Sequence, residues 1–81
     1  MEKELADVIS YLNDLLNDTS VPRNVKTKIE GIVRSFQDKA EISLRINKAL
    51  SVLEEVCDDN NIQTYTRTQI WNAVSMLEAL N

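Results

Sequence analysis

Apolar residues recur at helical spacing along the whole chain, and the pattern repeats itself after 41 residues. Leu5, Val8, Ile9, Leu12, Leu15 and Leu16 form one stripe, and Val25, Ile29, Ile32, Val33 and Phe36 form a second. Ile42, Ile46, Ala49, Leu50, Leu53, Val56 and Cys57 make a third, and Ile70, Ala73, Val74, Leu77 and Leu80 a fourth. Shifting the chain by 41 residues lays Ser10, Leu12, Asp18, Thr27, Ile29 and Val33 on Ser51, Leu53, Asp59, Thr68, Ile70 and Val74. The same register superposes the stripes and both intervening loops, so one helical hairpin is written twice.

The spacing predicts helices near residues 3–17, 22–37, 41–58 and 63–80, in hairpins of about 3–37 and 41–80. Short connections favour antiparallel neighbours, and a lone hairpin cannot cover its stripe. Two units fall short of the three or so that a solenoid needs. The predicted fold is therefore all-α: an up-and-down four-helix bundle, occupying residues 1–81 as a single domain. One Gly and one Pro, against usual shares of about 7% and 5%, agree with long helices and few tight turns.

Local signals fill in the joints. Pro22 suits a helix's first turn, with Ser20 as its expected N-cap and Asn61 in the same role in the second half. Asp18 and Asp59 precede those caps, where the helix dipole favours negative charge. Gly31, inside the second helix, is read as a point of close helix–helix approach. Cys57 aligns with Leu16 and is read as a small buried filler.

Much chemistry is excluded by what the chain lacks. With no histidine, neither a Glu-x-x-His di-iron site nor a His-dependent triad or zinc site can be written. One glycine cannot build a phosphate-cradling loop or a dinucleotide fingerprint. Asp14, Asp18, Glu55, Asp58 and Asp59 gather at the loop end of both hairpins, but without calcium-loop spacing, and read as caps and a solvated rim. No catalytic, cofactor-binding or metal-ligating residue is assigned. No apolar run is long enough for a bilayer, and Met1-Glu-Lys-Glu leads straight into the amphipathic pattern without a signal peptide's apolar stretch. A lone cysteine fits a reducing compartment, so a cytoplasmic protein is expected.

Charge is unevenly spread. Residues 1–22 carry Lys3 against Glu2, Glu4, Asp7, Asp14 and Asp18; residues 49–81 carry Arg67 against Glu54, Glu55, Asp58, Asp59 and Glu78. Between them, Arg23, Lys26, Lys28, Arg34, Lys39, Arg45 and Lys48 outweigh Glu30, Asp38 and Glu41. Basic helices neighbouring acidic ones would account for this pattern.

Some large side chains lie off the stripes. Trp71 is about 100° round from Ile70, Arg67 is placed to stack on its indole, and Tyr65 and Met76 project from the opposite flank. Leu44 points away from its own stripe. Leu44, Tyr65, Arg67, Trp71 and Met76 are thus the candidate partner surface of a non-enzymatic module binding another protein or a second copy. The alternative is a nucleic-acid- or ribosome-associated protein meeting phosphates through Arg23, Lys26, Lys28, Arg45 and Lys48. Against it stand a pI near 4.6 and the absence of any nucleic-acid motif.

Asp18-Thr-Ser-Val-Pro-Arg-Asn-Val-Lys26 and Arg67-Thr-Gln-Ile-Trp-Asn-Ala-Val-Ser-Met-Leu-Glu78 resemble small archaeal proteins grouped as uncharacterised protein family 0147. Val21-Pro-Arg-Asn24 and the Arg67-Thr and Ile70-Trp71 pairs carry most of the likeness, which runs over nearly the whole chain. The resemblance implies an archaeal origin and a four-helix, bromodomain-like, up-and-down domain, and assigns no activity, ligand or partner. The family pattern tends to place a second proline after the third helix. Here Asn61-Ile-Gln63 stands instead, so a looser second turn is expected.

Overall fold

A computed structural model describes residues 2–37 and 41–80. It has four helices, α1 (Glu2–Leu16), α2 (Arg23–Ser35), α3 (Ile42–Cys57) and α4 (Thr64–Glu78), each within two residues of its expected bounds. Asp38 and Lys39, counted in the basic middle segment, lie outside the described residues. Each helix packs on its sequence neighbours, and α4 closes the ring on α1; the backbones of diagonal helices stay apart. The result is an up-and-down bundle of 33 × 20 × 17 Å.

The core follows the stripes. Leu12, Ile29, Leu53 and Ile70, one from each helix, are 0% exposed and form its centre. They are two repeat pairs, and the symmetry extends outward: Val8 and Ala49, Leu15 and Val56, Val21 and Ile62, and Phe36 and Leu77 are all buried. Removing one of the central side chains to Ala would cost about 2–5 kcal/mol. Val21 and Ile62 belong to the loops, not the helices, and pin each loop to the core.

The repeat also governs the loops, by a different device from the one expected. Ser20 and Asn61 do not cap α2 and α4. The N-cap positions fall to Pro22 and Gln63, and neither makes a side-chain capping bond. Instead the Asp18 carboxylate accepts the Ser20 amide at 2.9 Å and its hydroxyl at 2.7 Å. Asp59 accepts the Asn61 amide, also at 2.9 Å. These are Asx turns, in which a carboxylate two residues upstream replaces a backbone acceptor. Both loops then close identically, with Val21 N–H donating to Asp18 O and Ile62 N–H to Asp59 O.

The second turn is no looser than the first. Gln63 holds φ −67° and ψ 151°, against −60° and 151° at Pro22. In each case the residue four positions on, Lys26 or Arg67, donates its amide to that carbonyl at 3.0 Å. Proline fixes a conformation that the Asx turn and the buried Ile62 already enforce.

Gly31 does not mark a close approach. It is exposed, and a Cβ added there would meet nothing within 4 Å. No glycine φ is positive. The residue therefore costs α2 roughly 1 kcal/mol of helix propensity with no packing or backbone requirement to explain it.

Candidate functional site

Arg67 sits in the first turn and a half of α4, and its guanidinium turns to α3 instead of stacking on Trp71. Nε donates to Cys57 O at 3.1 Å and Nη2 to Asp59 O at 3.0 Å. The last carbonyls of a helix lack intrahelical partners, and a cation there also meets the negative end of the dipole. Arg45 does the same service one helix earlier, with Nη1 donating to Phe36 O at the end of α2. Its Nε is buried without a partner.

With Arg67 committed, Trp71 stands uncovered at 47% exposure on the α3 side of α4. Leu44 is 62% exposed and Tyr65 61%. These do not converge. Leu44 lies thirteen residues before the end of α3, about 20 Å along the axis, whereas Tyr65 is beside the α3–α4 loop. Met76 is half-buried and packs on the core.

The cations are similarly dispersed. Lys28 pairs with Glu55 across α2 and α3 at 3.2 Å, an exposed contact worth about 0–1 kcal/mol. Arg23 and Lys48 are exposed, Lys26 half-buried, and Arg45 engaged as above. Among the described residues, no three Asp, Glu or Cys side chains are grouped to hold a metal ion. Nor is any helix among the described residues long and apolar enough to cross a membrane.

Cys57 is buried, as its alignment with Leu16 implies, and burial pushes its thiol up, with Arg67 opposing. Such a thiol is a poor nucleophile. The Ser20 amide and hydroxyl hold the Asp18 carboxyl below its ordinary value.

Three features escaped the sequence reading. Tyr11 joins α1 to α4, its hydroxyl donating to Gln69 O at 2.9 Å and meeting Gln69 Oε1 as well. Thr66 is 1% exposed with an unpartnered hydroxyl, and is the only buried polar residue among those described. The repeat could have revealed it, because its counterpart is the core residue Val25. Gly31 opens the third feature, a groove of about 230 Å³ along the α2–α3 seam. Ile32, Ala49 and Val52 supply its apolar lining, and Lys28, Lys48 and Ser35 its polar rim.

Fold and sequence repeat together define a small all-α bundle built from a duplicated hairpin. The chain belongs to the uncharacterised protein family UPF0147, whose model matches residues 1–80. It is 40% identical over 80 residues to a UPF0147 protein of Sulfurisphaera tokodaii, covering 98% of this chain and 90% of that one. To the Archaeoglobus fulgidus protein it is 36% identical, covering 99% and 92%. A crystal structure of a UPF0147 protein from Thermoplasma acidophilum superposes with a TM-score of 0.92 at 30% identity, covering 99% of this chain and 95% of that one. That of MMP1188, a protein of unknown function, gives 0.87 at 32%, covering 96% and 90%.

Proposed function

We propose that the chain is a non-enzymatic, cytoplasmic helical module that works by contact with another protein or with a second copy of itself. The reading rests on Trp71. A tryptophan is costly to leave in water, and here the core closes without it while its nearest cationic neighbour in sequence, Arg67, is used elsewhere. Half-exposed tryptophans are characteristic anchors of protein interfaces. Leu44 and Tyr65 extend the reading as separate contact points, and Met76 and Arg67 serve the bundle beneath them.

The experiment compares wild type with Trp71→Ala by sedimentation and by affinity capture from native lysate, with and without nuclease. The expected result is loss of self-association or of a captured protein while the melting temperature stays within about 4 °C. Equal loss of stability and association would make Trp71 a core residue and refute the reading. The phosphate-binding alternative keeps Arg23, Lys26 and Lys48, since Lys28 and Arg45 have internal partners. Filter retention of nucleic acid at low salt, lost at high salt, would favour it; no retention at low salt removes it.

A further inference from the structure

We infer that the α2–α3 groove is a docking site for an acidic amphipathic helix of another protein, a surface beyond and separate from Trp71. The repeat supplies an internal comparison. Shifted by 41 residues, the α2–α3 seam becomes the α4–α1 seam: Lys28 becomes Gln69, Gly31 becomes Asn72, Ser35 becomes Met76, and Val52 becomes Tyr11. There the Tyr11–Gln69 bond closes the stretch equivalent to Lys28, Gly31 and Val52, and a groove of equal volume opens beside it with an acidic rim, lined by Glu4, Asp7, Val8, Met76, Ala79 and Leu80. Here the corresponding positions are Lys28, Gly31, Ser35 and Val52, and the groove that they line has a basic rim instead. The chain's single glycine thus weakens α2 where nothing in the packing asks for it, and what it provides is space. Rules of local stability are most often broken at functional positions.

Size, charge and spacing define the occupant. A cavity of about 230 Å³ is smaller than the roughly 300–1,000 Å³ of small-molecule sites, but admits an apolar side chain of a peptide. Its rim carries Lys28 and Lys48, and the carboxylate that meets Lys28, Glu55, holds it in an exposed and readily exchanged pair. That pair fixes the antiparallel register of the two helices. Seven residues along α2 from Lys28 is Ser35, and seven back along α3 from Glu55 is Lys48. The lysines therefore stand about 10 Å apart along the groove, with Gly31 and Val52 midway. Carboxylates seven residues apart on a helix have the same separation, and an apolar residue four after the first lies between them on the same face. The recognised pattern is Glu-x-x-x-Leu-x-x-Glu.

The probe is a fluorescein-labelled, Ala-rich helical peptide carrying that pattern, titrated by anisotropy against the full chain at low salt. The expected result is saturable binding that weakens with salt and is lost when both Glu are replaced by Lys. Lys48→Glu should weaken it by roughly tenfold or more. Gly31→Leu should abolish it, whereas Gly31→Ala should raise the melting temperature and weaken binding, opposite signs that a purely structural glycine would not give. Trp71→Ala should leave the titration unchanged, so failure here and failure of the Trp71 reading are told apart. No binding up to about 1 mM peptide overturns the inference. So does binding indifferent to Gly31 and Lys48, or a peptide signal that arises only from a second copy competing for the groove.

Discussion

Replacing Thr66 with Val should stabilise the protein, and the size of the gain can be worked from the structure. Thr66 is 1% exposed and its hydroxyl has no partner, so folding strips water from a polar group and returns nothing. Burying a hydroxyl in this way costs about 1–3 kcal/mol by protein substitution data. Val has the same shape, nearly the same helix propensity, and an extra methyl group whose burial contributes about 0.8 kcal/mol. The sum is a stabilisation of roughly 2–4 kcal/mol, and a chain this size gains about 4–8 °C in melting temperature per kcal/mol. Thermal and urea unfolding followed by circular dichroism would measure it. Val25 occupies the equivalent place in the first hairpin, so Val25→Thr should be the mirror image and lose a comparable amount. A Thr66→Val protein that melts at or below wild type would refute the reasoning, because the hydroxyl would then be bonding a carbonyl one turn back.

Arg67→Met should lose about 1.5–3 kcal/mol in urea titration, because two carbonyls at the end of α3 lose a charged donor. Lys at that position should recover less than half, having one point charge in place of a planar fork. Cys57 should react with a disulfide reagent at least about a thousandfold more slowly in the folded chain than in urea, since access requires opening. Its raised thiol makes the folded state the better proton binder. The stability it contributes is therefore complete below the unfolded value near 8.5 and is lost as pH rises through the folded one. Cys57→Ala should flatten that alkaline slope. Asp18 works in the other direction: its lowered carboxyl contributes stability above the unfolded value of about 3.9 and loses it as pH falls through the folded one. Asp18→Asn should remove this acid dependence from the unfolding curve.

What could be seen from the sequence was whatever depends on periodicity. Leu12, Ile29, Leu53 and Ile70 are buried because their spacing leaves them nowhere else to go, and the duplication repeats the arrangement. Residue type alone misled where two partners competed for one group. Ser20 and Asn61 are good caps by chemistry, but Asp18 and Asp59, two residues upstream, claim their amides first. Arg67 is one turn from Trp71, yet the chain reversal brings it the unpaired carbonyls of α3, which need a donor more than an indole needs a cation. Gly31 signalled something unusual without saying what, since propensity records the cost and not the use. The Tyr11–Gln69 bond spans 58 positions and has no local signature. Of the residues expected to form a partner surface, Trp71, Leu44 and Tyr65 are exposed, but nothing in the sequence said that they would stand apart.

The cyclic order of the helices has a last consequence. Because α4 lies against α1 and the connections alternate direction, the two ends of the described chain emerge on adjacent helices at the same end of the bundle. Circular permutation is therefore open to this protein. A short linker from the end of α4 to the start of α1, with a new opening between α2 and α3, would exchange the order of the hairpins and leave every helix beside its present neighbours.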